Sequence, residues 1–372
     1  MIAQQITSGA GHKTARRFYR PELDALRFFA FLGVLVCHGP RPRGFPDFVS
    51  RFGGFGLSMF FLLSAYLITE LLLREREQSG RVDWGLFFIR RALRIWPLYF
   101  AALAVGIIMA RILPHRFPIA GSGIAAMSLF VANWIPVTRL GGLLFPLWTI
   151  SIEEQFYLIW PPIIKLGGKT AALAASIIFA ISAAIWMWIF SGKGFYLWFD
   201  TPVQFSFFAA GAIIALVLHG NRPALLKLLN GVTRSGLLIV GLFALAIATR
   251  FGRIMPEIQL HDCHALPGYG TAAVGCALVF IATFGISNVP RALTYFGKIS
   301  YGLYVFHPGG LILSNSLASL LKLQRSSLLR MFIIDGLSLL LCIVAAHISY
   351  RYFERPFLRL KERFEVIHSR PA

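Results

Sequence analysis

The chain has 372 residues, 57% of them hydrophobic and only 14% charged. A soluble domain carries about 25% charged residues, so a water-soluble particle of this size is excluded and lipid has to cover the outside. The 36 lysines and arginines outnumber the 16 acids for a net charge of +20, which in so apolar a chain reads as loops held on the inner side of a membrane rather than as a nucleic-acid footprint.

In chain order, a basic arm (Lys13, Arg16, Arg17, Arg20) leads into an apolar run that ends at His38-Gly39-Pro40. No small-x-small cleavage site follows, so the run is expected to stay as a first span rather than leave as a signal peptide. A membrane helix needs about 20 mostly apolar residues. Spans are expected at 22–39, 54–73, 92–112, 146–165, 170–190, 201–219, 235–250, 266–287, 299–320 and 329–350. Residues 124–135 are apolar but short, fitting either an eleventh helix or an external interfacial segment. The 74–91 loop carries Trp84, Phe87 and Phe88 among arginines and reads as a short amphipathic helix on the inner surface. The expected fold is therefore an all-α integral membrane bundle of about ten transmembrane helices, eleven at most, with both termini cytoplasmic. It divides into an N-terminal arm (1–21), a transmembrane domain (22–356) and a cytoplasmic tail (357–372). Ten spans place roughly two thirds of the 36 lysines and arginines inside, whereas eleven split them evenly, and the positive-inside rule favours ten. The four cysteines are scattered, with no disulfide framework. His261-Asp262-Cys263-His264 lacks the separated ligand pairs of a structural metal site, and no metal is expected.

Charges inside spans are costly and mark candidate sites. The first helix carries Asp24, Arg27 and His38. Arg27 and His38 lie about 16 Å apart along the axis and share a face; read blandly, Asp24–Arg27 is an i,i+3 ion pair and His38 a boundary histidine. Arg91 and Arg94 form an RxxR on one face of the third span. With Arg27 they suit the phosphates of a cofactor, although plain positive-inside anchoring also places arginines there. Glu153 and Glu154 are embedded in an apolar helix and point about 100° apart, so one at most faces a given site. Ser300, Tyr304 and His307 fall on one stripe, as a site or as a polar seam between helices.

In this order the segments resemble the acyltransferase 3 family of membrane O-acyltransferases. The resemblance runs from Glu22-Leu23-Asp24-Ala25-Leu26-Arg27 to His38 and through Gly54-Phe55-Gly56-Leu57-Ser58-Met59-Phe60-Phe61-Leu62-Leu63-Ser64. It continues in the RxxR element, in Leu147-Trp148-Thr149-Ile150-Ser151-Ile152-Glu153-Glu154-Gln155-Phe156-Tyr157, and in Ile299-Ser300-Tyr301 with His307. It closes at Tyr352-Phe353-Glu354-Arg355-Pro356. Ala65 stands where the family usually has glycine, which alters packing but removes no reactive group. Some members carry an extra soluble esterase-like domain; none is seen in these residues, so transfer is expected to finish in the membrane domain.

The resemblance implies a multi-pass protein of the plasma membrane, a bacterial inner membrane, that moves an acyl group from acyl-CoA to a carbohydrate hydroxyl, lipid-linked acceptors among them. Acetyl, from acetyl-CoA, is the default group. Arg27, Arg91 and Arg94 would hold the donor's phosphates. His38 would act as general base, oriented by Glu153, with Glu154 and Asp47 as alternatives. Ser300, Tyr301, Tyr304, His307 and Glu154 would support the acceptor side. A covalent route through Ser64, Ser151 or Ser300 stays open, none having an evident adjacent base. A transporter or flippase for a lipid-linked saccharide is the rival reading; it should show inverted repeats or helices broken at matched depths, and no such pairing is visible. A receptor without chemistry would not require His38, Glu153 and an arginine cluster at opposite depths.

Overall fold

The computed structural model describes residues 18–42, 44–191, 197–219, 226–251, 265–324 and 327–367. They are helical apart from turns and short connections, with no strand among the described residues. Helix α1 (Pro21–His38) opens with proline in its first turn and with Glu22 and Asp24 near its positive end, and it stops at Gly39 ahead of Pro40. Helix α2 (Asp47–Ser79) packs along it where side chains are absent. A Cβ at Gly33 would meet the Gly53 carbonyl at 2.9 Å, and one at Gly56 would overlap the Ala30 carbonyl. Small residues let the two backbones approach as membrane helices commonly do.

The 74–91 segment is not a surface helix. Helix α2 continues through Ser79 and stops at Gly80, whose φ of 72° is left-handed. Helix α3 (Trp84–Ile112) then starts with Asp83 capping Leu86 N. The stretch from Glu70 to Gln78 is made of good helix formers, so α2 runs on through it as one helix instead.

The apolar stretch 124–135 forms no span-length helix. Helix α4 (Gly121–Ser128) has eight residues, and a 3-10 turn, Ala132–Trp134, follows. The segment folds into the bundle. Tyr99, midway along α3, donates to the Met127 carbonyl at 2.8 Å; Gln155 donates to the Phe130 carbonyl at 3.0 Å; Ala132 N donates to Ser151. Irregular backbone is tolerated at such depth when its polar groups find partners of this kind.

Helix α5 (Trp148–Phe190) is one helical run with non-helical angles at Gly168. Trp160 and Phe179 would stand about 28 Å apart along a straight helix, yet their ring centroids are 6.0 Å apart. The run is therefore a hairpin of two arms. Arg76 closes the bend by donating to the Ile164 carbonyl at 3.0 Å, and Gly168 (φ 58°) permits it. Helix α6 (Thr201–Leu218) wedges between α2 and α5, with Phe208 4.4 Å from Phe156 and 4.9 Å from Phe61. Helices α7 (Gly231–Phe251) and α8 (Ala265–Thr283) pair beside it. Helices α9 (Arg291–Lys298), α10 (Ser300–Leu320) and α11 (Leu328–Ser349) complete the bundle, and α12 (Arg355–Glu362) ends it.

Seven helices among the described residues are long and apolar enough to cross a membrane, the 46-residue run Phe145–Phe190 that contains α5 counting as one. Helices α1 and α10 lie outside that set, and they carry Arg27 and His38 on the one and Ser300, Tyr304 and His307 on the other. Trp188 is 79% exposed and Val232 84%; lipid contact suits such side chains in this multi-pass membrane protein. His261 to His264 lie outside the described residues.

Candidate functional site

Helices α1, α2, α3, the first arm of α5 and α10 converge on a cavity of about 170 Å³. Arg27, Arg91 and Arg94 all line it. Arg27 sits 3.4 Å from Asp24, the i,i+3 pair. Arg91 and Arg94 have no carboxylate partner among the described residues. The Arg91 guanidinium lies over the rings of Phe87 (5.4 Å) and Tyr157 (5.9 Å). Arg90, their neighbour, is instead bound to Glu75 at 2.6 Å and to the Phe364 carbonyl at 3.0 Å. Helical spacing thus divides the cluster: one arginine is consumed by the architecture, and two present donors to the cavity, a geometry that suits an anion.

Glu153 lines the same cavity. Its carboxylate accepts from Ser64 Oγ at 3.2 Å and from the Tyr157 hydroxyl at 2.7 Å. The expected pairing with His38 is not formed: Glu153 projects toward α2 and its own next turn, while His38 leaves the far end of α1 in another direction. Nor do the alternatives orient His38. Asp47 is exposed and pairs with Arg51 at 3.4 Å. Glu154 is buried away from the cavity, with Oε1 lacking a hydrogen-bond partner among the described residues. Ser64, unlike the other serines considered as carriers, does have an adjacent carboxylate. Ser300 lines the cavity and Ser151 accepts from Ala132 N.

His38 meets His307 instead, with ring centroids 5.1 Å apart and Phe145 6.3 Å away. His38 Nδ1 lies 2.9 Å from the Val34 carbonyl, and His307 Nδ1 lies 2.5 Å from the Tyr304 carbonyl. A carbonyl only accepts, so each neutral ring carries its proton on Nδ1 and presents the Nε2 lone pair. His307 is 1% exposed, its Nε2 without a partner among the described residues, whereas His38 is exposed. Tyr304 stands between the two centres. It lines the cavity, its ring is 5.3 Å from His307, and its hydroxyl donates to the Pro146 carbonyl while accepting from Thr149, both at 3.0 Å. Ser300 and Tyr301 also face the cavity, Tyr301 donating to the Ile95 carbonyl at 2.9 Å. Sequence reasoning missed Ser64 and Tyr157 as partners of Glu153. Tyr157 sits at i+4 and was legible; Ser64 was not.

A profile described as an acyltransferase domain matches residues 20–347. The chain belongs to the acyltransferase 3 family. Similar proteins in that family include "Peptidoglycan O-acetyltransferase OatA" of Listeria monocytogenes, 26% identical over 91% of this chain and 56% of its own length. "Putative peptidoglycan O-acetyltransferase YrhL" of Bacillus subtilis is 27% identical over 93% of this chain and 56% of its own length. "Putative O-acetyltransferase SAS0844" of Staphylococcus aureus is 26% identical over 95% and 59%. The chain thus spans little more than half the length of these relatives. No solved structure matches it. Among the described residues no group of three or more His, Cys, Asp or Glu is placed to hold a metal ion.

Proposed function

We propose that this chain is a bacterial inner-membrane O-acyltransferase that moves an acyl group, acetyl by default, from cytoplasmic acyl-CoA to a hydroxyl of a surface or exported carbohydrate. Peptidoglycan sugars belong to that acceptor class on the strength of the relatives' names. The topology we attach to it has ten passes and both termini in the cytoplasm, which keeps the arginine cluster on the side where the donor is made. The observation that carries the proposal is the pair of guanidiniums, Arg91 and Arg94, lining a cavity without a carboxylate of their own among the described residues. They and Arg27 bind the donor phosphates. His38 Nε2 takes the proton as the acceptor oxygen attacks the thioester carbonyl carbon. The carbon–sulfur bond breaks, and the proton passes to the departing thiolate. His307 packs against His38 and holds the ring in place. Tyr304, fixed by Pro146 and Thr149, separates donor cavity from histidine pair, and the acyl group crosses beside it. Glu153 takes no proton from His38; with Ser64 and Tyr157 it lines the inner part of the path.

Cells given labelled acetate test the proposal. Base-labile acetyl on envelope carbohydrate should appear with the parent protein and not with His38→Ala at equal protein level. Equal labelling refutes it.

A further inference from the structure

The cavity stops short of the histidines. Toward them its lining ends on uncharged side chains: Leu57 and Phe60 on α2, Thr149 and Ile150 on the first arm of α5, and Tyr304 on α10. Neither His38 nor His307 lines it. His307 follows Tyr304 at i+3, so this end wall is roughly one helical turn thick, about 4.5 Å along the axis. An acyl group that passes from a donor in the cavity to an oxygen beside His38 has to lie within that wall.

Most of the wall is fixed. Leu57, Thr149, Ile150 and Tyr304 are buried, and Thr149 and Tyr304 are held further by hydrogen bonds to the Pro146 carbonyl and to each other, each 3.0 Å. Phe60 differs. It is half-buried, it packs at the seam between the main hydrophobic core and the smaller cluster of α1, α10 and α11, and its ring has no polar atom to anchor it. The Phe60 and Tyr304 rings meet edge-on with centroids 6.1 Å apart, a distance at which aromatic rings touch. The way past Tyr304 is therefore closed until Phe60 turns, and the space its turning uncovers is bounded by the fixed side chains.

We propose that Phe60 selects the acyl group: with Tyr304 as its fixed counterpart, it admits acetyl and rejects longer chains. This rests on the acyl-CoA reading above and names the acyl-CoA that the site takes. An apolar wall would by itself favour the longer chain, which buries more apolar surface. A preference for acetyl therefore needs exclusion by shape. Close packing supplies it, because packed interiors resist even one added methylene, and the side chains that would have to give way beside Phe60 are buried or hydrogen-bonded.

Acetyl-CoA and butyryl-CoA titrated separately into the detergent-purified full chain test this, each affinity taken relative to free coenzyme A. The parent should bind butyryl-CoA about tenfold more weakly than acetyl-CoA, the lower end of what a shaped pocket gives for a methylene. Phe60→Ala opens the wall, and butyryl-CoA should then bind as tightly as acetyl-CoA or tighter. Phe60→Leu removes less volume and should shift the ratio in the same direction, which keeps the test available if the alanine variant does not fold. A general structural defect weakens both ligands alike and does not reorder them. Butyryl-CoA binding the parent as tightly as acetyl-CoA overturns the inference, as does an unchanged ratio in a folded Phe60 variant. In both cases acyl-CoA still binds, so this inference alone falls. If the parent binds neither acyl-CoA nor coenzyme A, the acyl-CoA reading falls and takes the inference with it.

Discussion

Replacing Arg91 and Arg94 together by alanine separates binding from folding, because among the described residues neither guanidinium holds a carboxylate that would be stranded. A charge-assisted hydrogen bond contributes about 1.5–3 kcal/mol. One such bond per arginine puts about 3–6 kcal/mol into donor binding, so coenzyme A should bind roughly a hundredfold to ten-thousandfold more weakly. The folding cost is the lost stacking of Arg91 on Phe87 and Tyr157, about 0.5–2 kcal/mol. Arg90→Ala should behave in the opposite way. It strands Glu75, whose side chain is 3% exposed, and removing one partner of a buried pair costs about 3–5 kcal/mol. Isothermal titration with coenzyme A and thermal melting in the same detergent read both effects. A folded Arg91→Ala/Arg94→Ala variant that binds within about threefold of the parent would refute the assignment of the anion site, given the ~3 kcal/mol floor above. Parent-like melting of Arg90→Ala would refute the division of the cluster.

His38→Ala should lower turnover by about 10²–10⁴ while coenzyme A binding stays at the parent value, because His38 does not line the cavity; lost binding would place His38 in the donor site instead. Ser64→Ala should keep turnover within roughly threefold, since it removes a single neutral-donor hydrogen bond to Glu153. Mass spectrometry of the parent after incubation with acetyl-CoA should find the Ser64 peptide unmodified, and an acetyl group there would establish the covalent route. Gly297→Val should destabilise the fold by about 1–3 kcal/mol, because even a Cβ at Gly297 overlaps the Asp24 carbonyl of α1; an unchanged melting temperature contradicts that close approach.

Much of the bundle was legible in the sequence because a membrane helix is a local object. A run of about 20 apolar residues satisfies its own backbone, so the helices appear where the runs do. The same logic singled out Arg27, Arg91, Arg94, Glu153, His38 and His307, since charge and imidazole in such runs stand out whatever the packing. Local reasoning failed where a helix outran its apolar run, as α2 does to Ser79, and where the chain bent back, as it does near Phe130 and Tyr99.

What the sequence by itself determined is the membrane class, the polar residues inside the helices and the family. What only the tertiary structure decided is which of those residues meet. Glu153 joins Ser64, 89 residues away, rather than His38; His38 joins His307; and Glu365 enters a cavity built by helices far from it in the chain. Helical periodicity specifies the face on which a side chain lies but not the neighbour that face will find. The neighbour depends on how closely the backbones approach and in what register, which at α1 and α2 is set by contacts such as Gly33 on Gly53 and Ala30 on Gly56. Such contacts are a property of two helices at once, so neither run contains them alone.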